Sequence, residues 1–244
     1  MRKILVTTAF MLALVCSSFA QSAEEKPKVI TETMLILPKR GMEDKFEIAV
    51  KAHNAKFHGA GPNVAGLRKI EYGEKSSWYV WVHGPTGYAS LDNPFTKESG
   101  HAADWAANVD PLIESYGSSM IWERNEKLSY GIDILQKAKY YEIWSVKLKP
   151  GEYKRFAALC EKLRKTYESM GTQAFVILDN ALHQANGADL AIIWSINSFD
   201  KWGNDPAPIV AYEKLFGTGS WQAMMDEWNA VKIDYSAEIR SYVR

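Results

Sequence analysis

Apolar positions along the chain follow two periods, and the periods alternate in the same order twice. Residues 29–37 and 140–149 are extended apolar runs that predict strands. Each run ends at a Pro/Gly break, and an amphipathic stretch follows. Phe46, Ala49, Val50, His53 and Phe57 recur at spacings of three and four and predict a helix over 42–58. Phe156, Leu159, Cys160, Leu163 and Tyr167 do the same for 152–169. Gly59 and Gly171 are the expected stops. Residues 66–72 with 77–83, and 173–179 with 189–197, predict strand pairs turned at Gly73-Glu74-Lys75 and Asn186-Gly187. A second helix is expected in each copy, its buried stripe in the later one marked by Trp221, Met224, Met225 and Trp228. Strands near 123–130 and 235–243 close the units. The order β-α-β-β-α-β is the split ferredoxin-like motif.

Particular residues support a duplication. Gly41 and Phe46 match Gly151 and Phe156, and Phe57 matches Tyr167. Trp81 matches Trp194 in the third strand. Asn93-Pro94 matches Asp205-Pro206. Trp105 with Asp110 matches Trp221 with Asp226, and the run from Glu126 to Tyr130 matches that from Glu238 to Tyr242. The expected architecture is α+β: tandem ferredoxin-like halves at 29–131 and 140–244, joined by a linker at 132–139, forming an intramolecular α+β barrel.

The first residues obey different rules. Met1-Arg2-Lys3, an apolar run from Ile4 to Cys16 and a small-residue exit predict a signal peptide over 1–20, with a polar lead-in at 21–28. Cleavage after Ala20 is preferred, with Ala23 as the alternative. A lipoprotein reading through Cys16 is disfavoured by the bulky Val15 before it. The expected location is periplasmic or secreted. Only Cys160 then remains, so no internal disulfide forms, and its apolar helix position reads as a buried structural thiol.

Two such halves with conspicuous aromatic residues resemble the dimeric α+β-barrel superfamily with both halves fused. That group includes antibiotic-biosynthesis monooxygenase-like, EthD-like, NIPSNAP-like and chlorite-dismutase-like proteins. The resemblance rests on element order and carries over no catalytic residue. It implies sheets packed face to face and pockets between a sheet and its own helices. Haem-binding relatives use a histidine of the second half. Here that half holds only His183, in a turn, so no haem is expected.

Composition narrows the partners. Lys+Arg and Asp+Glu are 29 each, which gives no electrostatic reason to bind nucleic acid or an anionic membrane. Without residues 1–20 the chain carries two more acids than bases. The excess lies in aromatic residues: nine Trp, twelve Tyr and nine Phe. Trp81, Trp194, Trp105 and Trp221 recur in both copies and read as common core. Trp78, Trp122, Trp144, Trp202 and Trp228 do not recur and are candidates to line a lumen or rim.

Histidine separates the copies. His53 has Leu163 as its counterpart, and His83 has Ile196. Burying imidazole costs free energy unless a partner is found, so the first half is expected to keep a polar pocket and the second to be mainly structural. His53 and His83 are the candidate proton acceptors, since imidazole titrates near neutral pH. Tyr79, Trp81, His58 and Trp194 are the candidate binding residues, although His58 at a helix end also suits the helix dipole. His101 reads as a loop residue. A metal site built from His53, His58, His83 and His101 is possible, but their spacing contains no HExxH or i,i+4 pair, so neither a metal nor a cofactor is expected. The functional expectation is an exported monomer or homodimer that binds a small aromatic or apolar molecule in a cavity of its first half. Its enzymatic version is a cofactor-independent oxygenase or isomerase. The alternative is a non-catalytic envelope binding or assembly protein.

Overall fold

A computed structural model describes residues 27–244. The signal-peptide reading of residues 1–20 and most of the lead-in lie outside the described residues. The first half runs β1 (Ile30–Pro38), α1 (Glu43–Phe57), β2 (Ala65–Tyr72), β3 (Tyr79–Thr86), α2 (His101–Asn108) and β4 (Ile113–Arg124). A short helix, α3 (Ile132–Lys137), occupies the connection. The second half runs β5 (Tyr140–Leu148), α4 (Tyr153–Met170), β6 (Phe175–Asn180), β7 (Leu190–Ile196), α5 (Ala207–Phe216), α6 (Ser220–Val231) and β8 (Lys232–Tyr242). No described helix is long and apolar enough to cross a membrane.

All eight strands pair antiparallel in one closed barrel, ordered β1-β3-β2-β8-β5-β7-β6-β4. Within each half the strands follow the ferredoxin-like order. β1 lies between β3 and β4, and β5 lies between β7 and β8. Two seams join the halves. At one, β2 pairs with β8, with Arg68 opposite Tyr242 and Ile70 opposite Arg240. At the other, β4 pairs with β6 through Trp122–Asn180, Glu123–Asp179 and Arg124–Leu178. Tandem ferredoxin-like halves thus form an intramolecular α+β barrel.

Strand alternation distributes the core. One face of β1 and β3 packs Ile36 and Tyr79 against Phe46 and Val50 of α1. The corresponding layer of the second half packs Val146, Leu190 and Ile192 against Phe156 and Leu159 of α4 and Trp228 of α6. The opposite strand faces line the barrel interior with Leu35, Ile70 and Val80 on one side and Tyr141, Ile143, Val176 and Ile193 on the other. Ile132, Ile134 and Leu135 of α3 pack on this second group.

Three boundaries differ from the sequence reading. The strand expected at 123–130 is β4 at Ile113–Arg124. Its centre, Tyr116-Gly117-Ser118-Ser119, is poor in β-branched residues, so propensity hid it. Tyr130 instead makes an isolated bridge to Phe175. The single second helix expected in the later half is two helices, α5 and α6. Gly171 does end α4: it sits at φ 70° and its N–H donates to the Tyr167 carbonyl at 3.0 Å. The first helix stops one residue earlier than expected, at His58, whose N–H donates to the Asn54 carbonyl.

Candidate functional site

The place between a sheet and its own helices is built differently in the two halves. In the second half it is a cavity of about 830 Å³. β5 and β7 form its floor, and α4, α5 and α6 form its walls. Trp144, Trp194, Trp202, Trp221 and Trp228 all line it, so both recurring and non-recurring tryptophans face the same space. Leu163, the sequence counterpart of His53, lines it too, as does Ile196. The sequence reading expected the cavity in the first half and a mainly structural second half; this cavity lies in the second. The extra helix α5, with the loop before it, stands over the sheet and encloses space there.

Few polar groups reach this cavity. Glu142 accepts from the indole N–H of Trp144 at 2.7 Å and of Trp202 at 3.0 Å, so its carboxylate fixes two ring walls. Ser195 Oγ accepts from the Ala174 amide. The Gln173 side-chain oxygen is buried and has no hydrogen-bond partner. Cys160 is 1% exposed, and burial pushes its thiol pKa well above the ordinary value, consistent with a structural residue.

In the first half the same place is filled with imidazoles. His53, on the buried stripe of α1, sends Nδ1 to Asp104 Oδ2 at 2.9 Å. His58, just past the end of α1, sends Nδ1 to the Asn63 carbonyl at 2.7 Å. His83 on β3 sends Nδ1 to Glu32 Oε1 at 2.7 Å. Carboxylates and carbonyls only accept here, so each of these rings, when neutral, carries its proton on Nδ1 and a lone pair on Nε2. His101 begins α2, where Gly100 at φ 74° turns the chain into the helix. Its Nε2 lies 3.1 Å from His53 Nε2 and 2.9 Å from His58 Nε2.

Aromatic rings wall the group. Phe95 stacks on His101 with centroids 4.3 Å apart, Trp105 meets His53 edge-on at 5.0 Å, and Trp81 stacks on His83 at 5.8 Å. Burial, reinforced by the neighbouring imidazoles, pulls the His58 pKa down to about 4. Burial likewise lowers that of His101. Asp104, hydrogen-bonded by His53 and also by Lys56, is held below the usual carboxylate range. His58 and His101 are therefore neutral at pH 7, beside an ionised Asp104.

Of the sequence candidates, the structure brings His53, His58, Trp81 and His83 into one neighbourhood. Tyr79 stands apart in the core: it is fully buried against Phe46 and donates its hydroxyl to Glu47 at 2.7 Å. Trp194 belongs to the other half's cavity. His183 is largely exposed in the β6–β7 connection, and no histidine lines the cavity. Sequence reading placed His101 in a loop and missed Asp104 and Glu32. The one available signal was His101 placed three residues before Asp104, which puts both on one turn of helix.

No protein-family model matches this chain, and no curated protein matches its sequence. Solved structures do match in fold. A monooxygenase-like protein from Fusobacterium nucleatum superposes with a TM-score of 0.56 at 11% identity, covering 89% of this chain and 94% of the other. A monooxygenase-like protein from Lactobacillus acidophilus NCFM gives 0.54 at 9% identity, covering 90% and 95%. An anthrone oxidase-like protein gives 0.51 at 12% identity, covering 90% and 93%. The likeness is one of fold. Chlorite dismutases are among the other structures that match in fold, with TM-scores of 0.51.

Proposed function

We propose that this is an exported protein that binds a small, flat, mostly apolar organic molecule in the cavity of its second half. One observation carries the reading: a cavity of about 830 Å³, walled by five tryptophans, in which the buried Gln173 oxygen lacks a partner. Indole walls favour a planar ring system. An unpartnered buried acceptor favours a ligand carrying one hydroxyl or N–H donor, because an unmet polar group costs about 1–3 kcal/mol. Export rests on the N-terminal sequence pattern, and sequencing the mature N-terminus of protein recovered outside the cytoplasm tests it.

Naphthalene and 1-naphthol separate the two parts of the binding reading. Both should quench the tryptophan fluorescence, with 1-naphthol binding several-fold more tightly. Gln173→Leu should remove that difference, and Leu163→Trp, which sets a further indole into the cavity from α4, should weaken both titrations. No quenching by either compound in the folded wild type would defeat the proposal.

Cofactor-independent oxygenation is a second reading, favoured by the monooxygenase-like and anthrone oxidase-like neighbours. Anthrone would lose its methylene hydrogens while one atom of O₂ becomes the new ketone oxygen and the other leaves as water. Binding is placed ahead of turnover because Glu142 is already engaged by two indole donors and no imidazole lines the cavity. Oxygen uptake with anthrone, weakened in Leu163→Trp, would reverse that order.

A further inference from the structure

His53 Nε2 and His58 Nε2 both face His101 Nε2, because their Nδ1 atoms are committed to Asp104 and to the Asn63 carbonyl. The single N–H of a neutral His101 satisfies one of the two. The ring centroids of His53 and His58 lie about 5 Å from that of His101, and His53 is 1% and His58 is 3% exposed, so water does not readily reach the acceptor left over. The fold does not need imidazole here either, since the second half uses Leu163 at the place of His53.

We infer that His53, His58 and His101 form a binding site for one divalent transition-metal ion of the Zn²⁺ type. All three offer Nε2, and one donor atom from each lies within 4.8 Å of the others. Zinc–nitrogen bonds of about 2.0–2.1 Å in a tetrahedral site put ligand nitrogens roughly 3.4 Å apart. The two close contacts, 3.1 and 2.9 Å, need to open by a few tenths of an ångström. His101 can supply that movement, being half-exposed on the first turn of the short helix α2.

The surrounding bonds are those that orient metal-bound histidines: a carboxylate on one Nδ1 and a backbone carbonyl on another. Neutral imidazoles suit zinc, cobalt, nickel or copper better than calcium or magnesium. His83 lies outside the ligand set, its ring centroid 5.8 Å from that of His58. Its Nε2 is buried without a partner. Phe57, Phe95 and Trp105 keep the surroundings apolar. The site is in the opposite half from the proposed organic-ligand cavity and does not rest on that reading.

The test uses the mature chain, stripped with a chelator and titrated with Zn²⁺ by calorimetry and with Co²⁺ by visible absorption. One ion per chain, intense four-coordinate Co²⁺ bands and a raised Tm are expected. His101→Ala should lose at least 100-fold in affinity while keeping the wild-type circular dichroism spectrum. Asp104→Asn, which keeps the ligands but weakens the orienting bond, should lose about 10–100-fold. His183→Ala should match the wild type. Absence of uptake of either ion by the folded chain would overturn the site, as would uptake unchanged in both His101→Ala and Asp104→Asn.

Discussion

Tyr79 and His101 show how far residue type alone leads. A tyrosine two positions from a recurring tryptophan looks like a binding residue, yet its whole ring is core and its hydroxyl serves Glu47. Tyr79→Phe should lower unfolding free energy by about 0.5–1.5 kcal/mol in urea melts. The 1-naphthol titration should not change, because the cavity is elsewhere. His101 has the opposite history: a loop histidine in sequence, it is the centre of the cluster in space. The exchange of His53 and His83 for Leu163 and Ile196 was visible because the two copies can be read against each other. The convergence on His101 was not, because ligands from α1 and α2 meet across 43 residues or more. No short motif encodes a contact of that range.

At the scale of elements, what was legible depended on how many residues share a signal. α1 and α4 announced themselves through long apolar stripes, and their N-terminal phenylalanines, Phe46 and Phe156, are both fully buried. Phe46→Ala should cost about 3–5 kcal/mol in equilibrium unfolding. β4 stayed hidden because its middle is glycine and serine. Packing explains that choice: a Cβ on Gly117 would come within 2.9 Å of Leu35 Cδ2 and 3.0 Å of Leu35 Cβ. Gly117→Val should therefore destabilise by about 1–3 kcal/mol, through crowding of the barrel interior and in spite of valine's higher strand propensity. α5 was missed for another reason. An inserted helix alters no periodicity, it only lengthens the interval before Trp221, and that drift was readable as an insertion without revealing its shape.

For the whole molecule, closure is the controlling fact. Eight strands in a ring leave no unpaired edge, so any homodimer must use helix or loop surfaces. The two seams are unequal in kind: the β4–β6 seam has three register pairs, all near one end of β4. The amide hydrogen of Asn125, which crosses this seam to the Ile177 carbonyl, should exchange faster than those at the centre of β1, such as Met34 and Leu35, in native-state hydrogen exchange. Equal protection at both places would mean that the barrel opens only by global unfolding.

The closed ring within one chain also removes a constraint. When a barrel is assembled from two identical chains, every residue on one side is repeated on the other, and both sites must serve the same ligand. Here a change at position 53 leaves position 163 untouched. One half holds a cluster of nitrogen donors while its sister holds a greasy chamber. Fusion has turned two obligate duplicates into two separate inheritances, each able to lose or gain its chemistry without asking the other.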